Sequence, residues 1–175
     1  LISISLQALK QVAESIKDPI SLSQFTKGGE AHFPEVLTTE AAQMNTEGPF
    51  IVDVLTAPKD NKWYSRLRMS GIDFFNDDDK AVVSCTEGDI WLIKGLTKGE
   101  GKLTWKRIGA GLFQPLGIKV IEEEIYVTCR NQIVILRDFN NDEETDFYES
   151  FNSDHQVTDH FHEFAMGMQT DDEGN

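Results

Sequence analysis

The chain has 175 residues, 39% of them hydrophobic, and a net charge of −14. That is enough apolar material for a cored domain and too little basic surface for contacts to nucleic-acid phosphates. No run approaches the roughly 18 apolar residues of a membrane span, and the first residues show no signal peptide, both ends reading as cut points. Two cysteines, Cys85 and Cys129, make no disulfide framework and lack the Cys-x-x-Cys spacing of zinc or c-type haem sites.

In chain order, residues 5–17 place Leu6, Leu9, Val12, Ala13 and Ile16 on one face of a helix that Asp18-Pro19 ends. Residues 1–19 thus read as a short N-terminal helix, the end of a preceding domain. Periodicity weakens from Ile20 to Gly48, so residues 20–62 read as an irregular arm or linker, with one short strand at residues 50–55 and a turn through Pro58 to Lys62.

From residue 63 onward the chain repeats itself. Gly71 opens a β-rich segment followed by the turn Asn76 to Asp79, a strand at 81–85, the turn Thr86 to Asp89 and a strand at 90–93. Gly117 opens a second: the turn Glu122 to Glu124, a strand at 125–129, the turn Arg130-Asn131 and a strand at 132–136. Residues 102–108 and 147–151 supply a fourth strand to each, and Gly167 begins a third unit. The spacings, 46 and 50 residues, suit the period of propeller blades. The expected fold is therefore all-β: a β-propeller fragment of about two and a fraction blades over residues 63–175, each of four antiparallel strands. A plain β-sandwich is the alternative. Because a blade does not bury both faces by itself, the expectation is of a larger propeller whose further blades follow Asn175.

Twelve of the thirty acidic residues, and no Lys or Arg, lie from Asp138 onward. Within residues 138–149, oxygen donors fall at the spacing that wraps one hard cation: the side chains of Asp138, Asn140, Asp142, Asp146 and Glu149, and the carbonyl of Glu144. Calcium is the expected ion, because a carboxylate cluster without a basic partner repels itself. The sixth position, where glycine makes the sharp turn, is Glu143. An acidic solvated turn is the alternative.

Three of the four histidines, His155, His160 and His162, are interleaved with carboxylates just downstream. On an extended strand His160 and His162 share a face, which suits a metal pair, a proton-transfer site or a redox-cofactor contact. The alternative has one histidine satisfying buried polar groups and the others exposed. No Gly-x-Ser-x-Gly, phosphate-binding glycine loop or His-Glu-x-x-His pattern is present.

Residues 111–118 (Gly-Leu-Phe-Gln-Pro-Leu-Gly-Ile), 125–128 (Ile-Tyr-Val-Thr), 133–138 (Ile-Val-Ile-Leu-Arg-Asp) and the acidic loop 138–146 resemble the blades of bacterial sorbosone and glucose dehydrogenase-like propellers. The likeness, over about residues 28–175, is to large exported planctomycete-type proteins labelled membrane-bound dehydrogenases or haem-binding proteins, in which such a propeller is joined to a cytochrome c domain. The resemblance implies an extracytoplasmic, periplasmic six-bladed propeller with a quinone-type cofactor and a sugar-like substrate at its central face. It also implies a histidine base, matched here by His160 or His162 with His155 beside them. Any haem c would belong to a domain outside this chain.

Two functions follow as expectations. One is the propeller module of a sugar or alcohol dehydrogenase, an oxidoreductase coupled to a cytochrome c. The other is a non-catalytic, calcium-stabilised propeller that binds polysaccharide or a partner domain.

Overall fold

The computed structural model describes residues 5–15, 21–44, 48–50, 52–160 and 162–171. Helix α1 (Leu6–Ser15) forms where the sequence predicts it, with the Ser5 hydroxyl accepting the Ala8 N–H at 3.2 Å. Its apolar stripe is not covered: Leu6, Leu9 and Val12 are exposed and no residue of the helix is buried. The expected stop at Asp18-Pro19 lies outside the described residues, as do Ile51 and Phe161.

Ten strands follow: β1 (Val36–Met44), β2 (Val52–Leu55), β3 (Met69–Phe74), β4 (Lys80–Cys85), β5 (Ile90–Lys94), β6 (Lys102–Gly109), β7 (Gly117–Ile121), β8 (Glu124–Thr128), β9 (Ile133–Arg137) and β10 (Phe147–Asn152). They form two antiparallel sheets, one in the order β2-β1-β6-β5-β4-β3 and one in the order β10-β9-β8-β7. The eight strands β3 to β10 fall within a residue or two of their predicted places, each paired with a strand next to it in the chain.

The arm departs from expectation. Residues 36–44 are a strand, not irregular chain: Val36 to Glu40 pair with Lys106 to Lys102, and Ala41 to Met44 pair with Leu55 to Val52. The first sheet therefore has six strands where four were expected. Burial alternates along β1, with Leu37, Thr39 and Ala41 facing in, and Thr39 is placed there by its Oγ1, which accepts the Trp105 indole N–H at 2.8 Å.

Two apolar layers hold the molecule together. Phe75, Val82, Ile90, Leu92 and Ile108 of the first sheet's side meet Ile118, Val127, Cys129, Val134 and Leu136 of the second. On the opposite face of the first sheet, Val83, Cys85, Trp91, Ile93, Leu103 and Trp105 pack with Leu37 and Ala41 of β1, Leu55 of β2, and Ala57, Trp63 and Leu67 of the chain between β2 and β3. With layers on both sides, residues 81–85 and 90–93 are buried without alternation, as continuous apolar runs bounded by turns foretell.

The repeat is visible atom by atom. The Cys85 N–H donates to Asp89 O and the Cys129 N–H to Gln132 O, each at 2.8 Å; the Thr86 N–H donates to Arg68 O and the Arg130 N–H to Phe113 O, each at 2.9 Å. Between the sheets β3 lies against β7: the Val120 N–H donates to Asp73 Oδ2 at 2.7 Å, and the Ser70 hydroxyl donates to Pro115 O at 2.6 Å. Among the described residues no strand follows β10, so residues 167–171, expected to open a third unit, carry none.

A candidate cation loop and the histidine segment

The connection from β9 to β10 curls because its own side chains take up its backbone amides. Asp138 Oδ1 accepts the N–H of Asp142 at 3.3 Å and its Oδ2 accepts that of Glu143 at 2.8 Å. Asn140 Oδ1 accepts the Asp142 N–H at 3.1 Å, and Asp142 Oδ1 accepts the Glu144 N–H at 2.9 Å. Such side-chain-to-backbone turns are what Asp and Asn do best at two-residue spacing. Asn141 and Glu143 have φ of 58° and 65°, so Glu143 takes the left-handed conformation that glycine adopts without penalty.

The outer part of the loop holds the arm. Asp146 accepts the Gly29 N–H at 2.8 Å through Oδ1 and the Phe139 N–H at 2.8 Å through Oδ2. Asn140 Nδ2 donates to Gly29 O at 2.7 Å. Glu144, only 6% exposed, receives the N–H groups of His32 and Phe33 on its two oxygens, at 2.6 and 2.7 Å. Gly28, at φ 81°, is where the arm passes: a Cβ there would lie 2.6 Å from Asp146 Oδ2. The sequence marks residues 27–29 only as part of a linker or irregular arm.

Two features of the expected cation site differ in the fold. The loop does have basic partners, since Lys94 pairs with Glu143 and the Lys106 ammonium donates to Asp142 O. Glu149 lies on β10 with its carboxylate 2.6 Å from Arg137 Nε, and Arg137 reaches Glu124 as well. The donors that stay with the curl are Asp138, Asn140, Asp142, Asp146 and the Glu144 carbonyl. Among the described residues no three His, Cys, Asp or Glu side chains converge as a metal-binding group.

The histidine segment is not a strand. Residues 153–160 and 162–171 carry no regular structure, so the shared-face argument for His160 and His162 does not hold. The organiser is Arg130, which the sequence suggested only as a turn residue. Its guanidinium donates to the carbonyls of Thr158 and His160 and to Gln114 Oε1, and stands between the rings of Phe113 and Phe164 at 5.6 and 5.4 Å. The Arg130 carbonyl lies 3.1 Å from His155 Nε2. His155 and Glu163 line one small cleft of about 230 Å³ beside Arg130, whereas His160 and His162 are exposed.

A buried pair was also missed. The Asp89 carboxylate accepts from the Arg107 guanidinium and from the Ser65 hydroxyl, and Arg107 packs on the rings of Phe33 and Trp63 at 4.4 and 5.5 Å. Arg107 sits on β6 and Asp89 in the β4–β5 turn, 18 residues apart. Nothing in the local pattern joins them.

No protein-family model matches the chain, and no curated protein or solved structure matches it. The fold is thus described by its own geometry: mostly β, with two antiparallel sheets in a repeated arrangement. No helix among the described residues is long and apolar enough to cross a membrane.

Proposed function

We propose that the chain is a calcium-stabilised, propeller-type β module of an extracytoplasmic protein, acting as a scaffold that binds polysaccharide or a partner domain. The observation that carries this reading is the curl at residues 138–144. Asp138, Asn140 and Asp142 turn the backbone at alternate positions while Glu143 takes a left-handed conformation. A loop so shaped brings alternate oxygen donors to the inside of the turn. Asp138, Asn140, Asp142, Asp146 and the Glu144 carbonyl would hold the cation, which would neutralise the carboxylates that Lys94 and Lys106 leave unbalanced. Because the same loop fastens residues 28–33, calcium would stiffen the join between the arm and the second sheet.

Calorimetric titration with calcium tests the reading. Binding that Asp138→Ala abolishes, with thermal stability raised by about 2.7 kcal/mol at a hundredfold excess over Kd, is the expected result. Absence of heat, and no shift in melting temperature, would sink it.

A second reading is the dehydrogenase module with a quinone-type cofactor, coupled to a cytochrome c. The specific support is that His155 and Glu163 line the same cleft beside Arg130, an imidazole and a carboxylate being side chains that proton-transfer sites use. Sugar-dependent reduction of an acceptor dye in the presence of a quinone cofactor, lost on His155→Ala or on joint replacement of His160 and His162, would favour this reading over the scaffold.

A further inference from the structure

Tyr64 is an exposed aromatic residue with a left-handed backbone. Its φ is 54° and its side chain is 96% exposed, so a bulky residue holds a left-handed conformation without packing against anything in return. The conformation is built in. Asn61 accepts the N–H groups of Trp63 and Ser65 on Oδ1 at 3.2 and 2.9 Å, donates through Nδ2 to Ser65 O at 2.7 Å, and takes the Tyr64 N–H on its own carbonyl at 3.1 Å. The loop thus presents the ring to solvent on a rigid support.

Beside it is an open cleft of about 380 Å³ lined by Trp63, Tyr64, Arg66, Glu87, Asp89 and Arg107. Its acids are already engaged: Asp89 by Arg107 and Ser65, and Glu87 by Arg68. One of its two bases is not used up. Arg66 is exposed and joins no ion pair among the described residues, whereas Arg107 is taken up by Asp89. An unpaired guanidinium beside an exposed ring calls for a ligand that carries negative charge and a face to stack.

The geometry points to a binding site for a carboxylated sugar ring, a uronate of an acidic polysaccharide, stacked on Tyr64 with its carboxylate on Arg66. An exposed aromatic face open to water suits a ring with one apolar C–H face and hydroxyls that stay hydrated; a wholly apolar ring would need enclosing walls. The inference supplies a ligand class for the scaffold reading and rests on it, but it does not require the cation loop.

The test is titration of the 175-residue chain with trigalacturonate, in EDTA, followed by calorimetry and tryptophan fluorescence. The wild type binds; Tyr64→Ala and Arg66→Gln each weaken binding about tenfold or more, and the methyl-esterified trimer binds at least about tenfold more weakly than the acid. Tyr64→Gly, which relieves the left-handed backbone, keeps or raises the melting temperature while losing the ligand. No binding by the wild type, equal binding by Tyr64→Ala, or equal binding of acid and ester would overturn the proposal. Because EDTA is present, that failure leaves the calcium reading to its own titration.

Discussion

Gly117 and Gly167 meet backbone to backbone: a Cβ on Gly117 would stand 2.8 Å from the carbonyl carbon of Gly167. The Gly167 N–H also donates to Leu116 O at 3.3 Å. One repeat earlier, a Cβ on Gly71 would stand 3.2 Å from Ile118 Cγ2 and 3.3 Å from its amide nitrogen. Gly71 and Gly117, the first residues of the matching segments, thus each lie against chain further on, Gly71 against Ile118 and Gly117 against Gly167.

Gly117→Ala places a methyl group against backbone that has no side chain to rotate away. The expected loss is about 1–3 kcal/mol, the range for overpacking a close contact, read as a lower urea midpoint at unchanged m-value. Gly71→Ala, with side-chain atoms of Ser84 and Ile118 at 3.0 and 3.2 Å and the nearest backbone atom at 3.3 Å, costs less.

The β7–β8 hairpin turns on Glu122 and Glu123, both at positive φ (51° and 68°), the pattern of a two-residue type I′ turn that favours Asn-Gly. Replacing the pair by Asn-Gly relieves left-handed strain of about 1–2 kcal/mol per residue, offset in part by losing the Glu123 carboxylate that accepts the Asn76 N–H at 3.2 Å. A net rise in melting temperature checks this.

Glu144 is the clamp on the arm. Glu144→Ala leaves the N–H groups of His32 and Phe33 without their acceptors and costs about 2–3 kcal/mol; Glu144→Gln keeps one carbonyl acceptor and costs less. Limited proteolysis near residues 28–35 reports release of the arm before the sheets unfold.

Glu143→Gly removes the residue forced into the left-handed region at the sixth loop position. The surface pair with Lys94 contributes about 0–1 kcal/mol, comparable with the strain released, so stability changes little. Calcium affinity, in the scaffold reading, rises. A fall in affinity by calorimetry would place the Glu143 carboxylate among the ligands.

Burial pushes the Cys85 thiol up to about 12 and the Cys129 thiol to about 11, from an ordinary value of 9.0. Their contribution to stability is therefore complete below pH 9 and is lost as the pH rises through 11 and 12, because the unfolded chain then ionises thiols that the fold keeps neutral. At pH 8 neither thiol reacts with a disulfide reagent until denaturant is added, when two equivalents appear. Early reaction of either would contradict the packing.

The sequence by itself determined β3 to β10, the turns between them and the curl of the acidic loop. All of these rest on contacts between near neighbours: apolar runs bounded by turn residues, and Asp or Asn side chains bonding amides two to five residues on. Only the tertiary structure decided the role of the arm. The inward face of β1 is Leu37, Thr39 and Ala41, a broken apolar stripe, and its partners lie at residues 102–106. The same holds for Glu144 and the amides of His32 and Phe33 more than a hundred residues earlier. It holds again for the histidine segment, whose carbonyls at Thr158 and His160 are held by Arg130 from the turn before β9. A hydrogen bond or an aromatic cage between residues far apart leaves no periodic trace in the chain, and those are the contacts that hold the arm and the histidine segment in place.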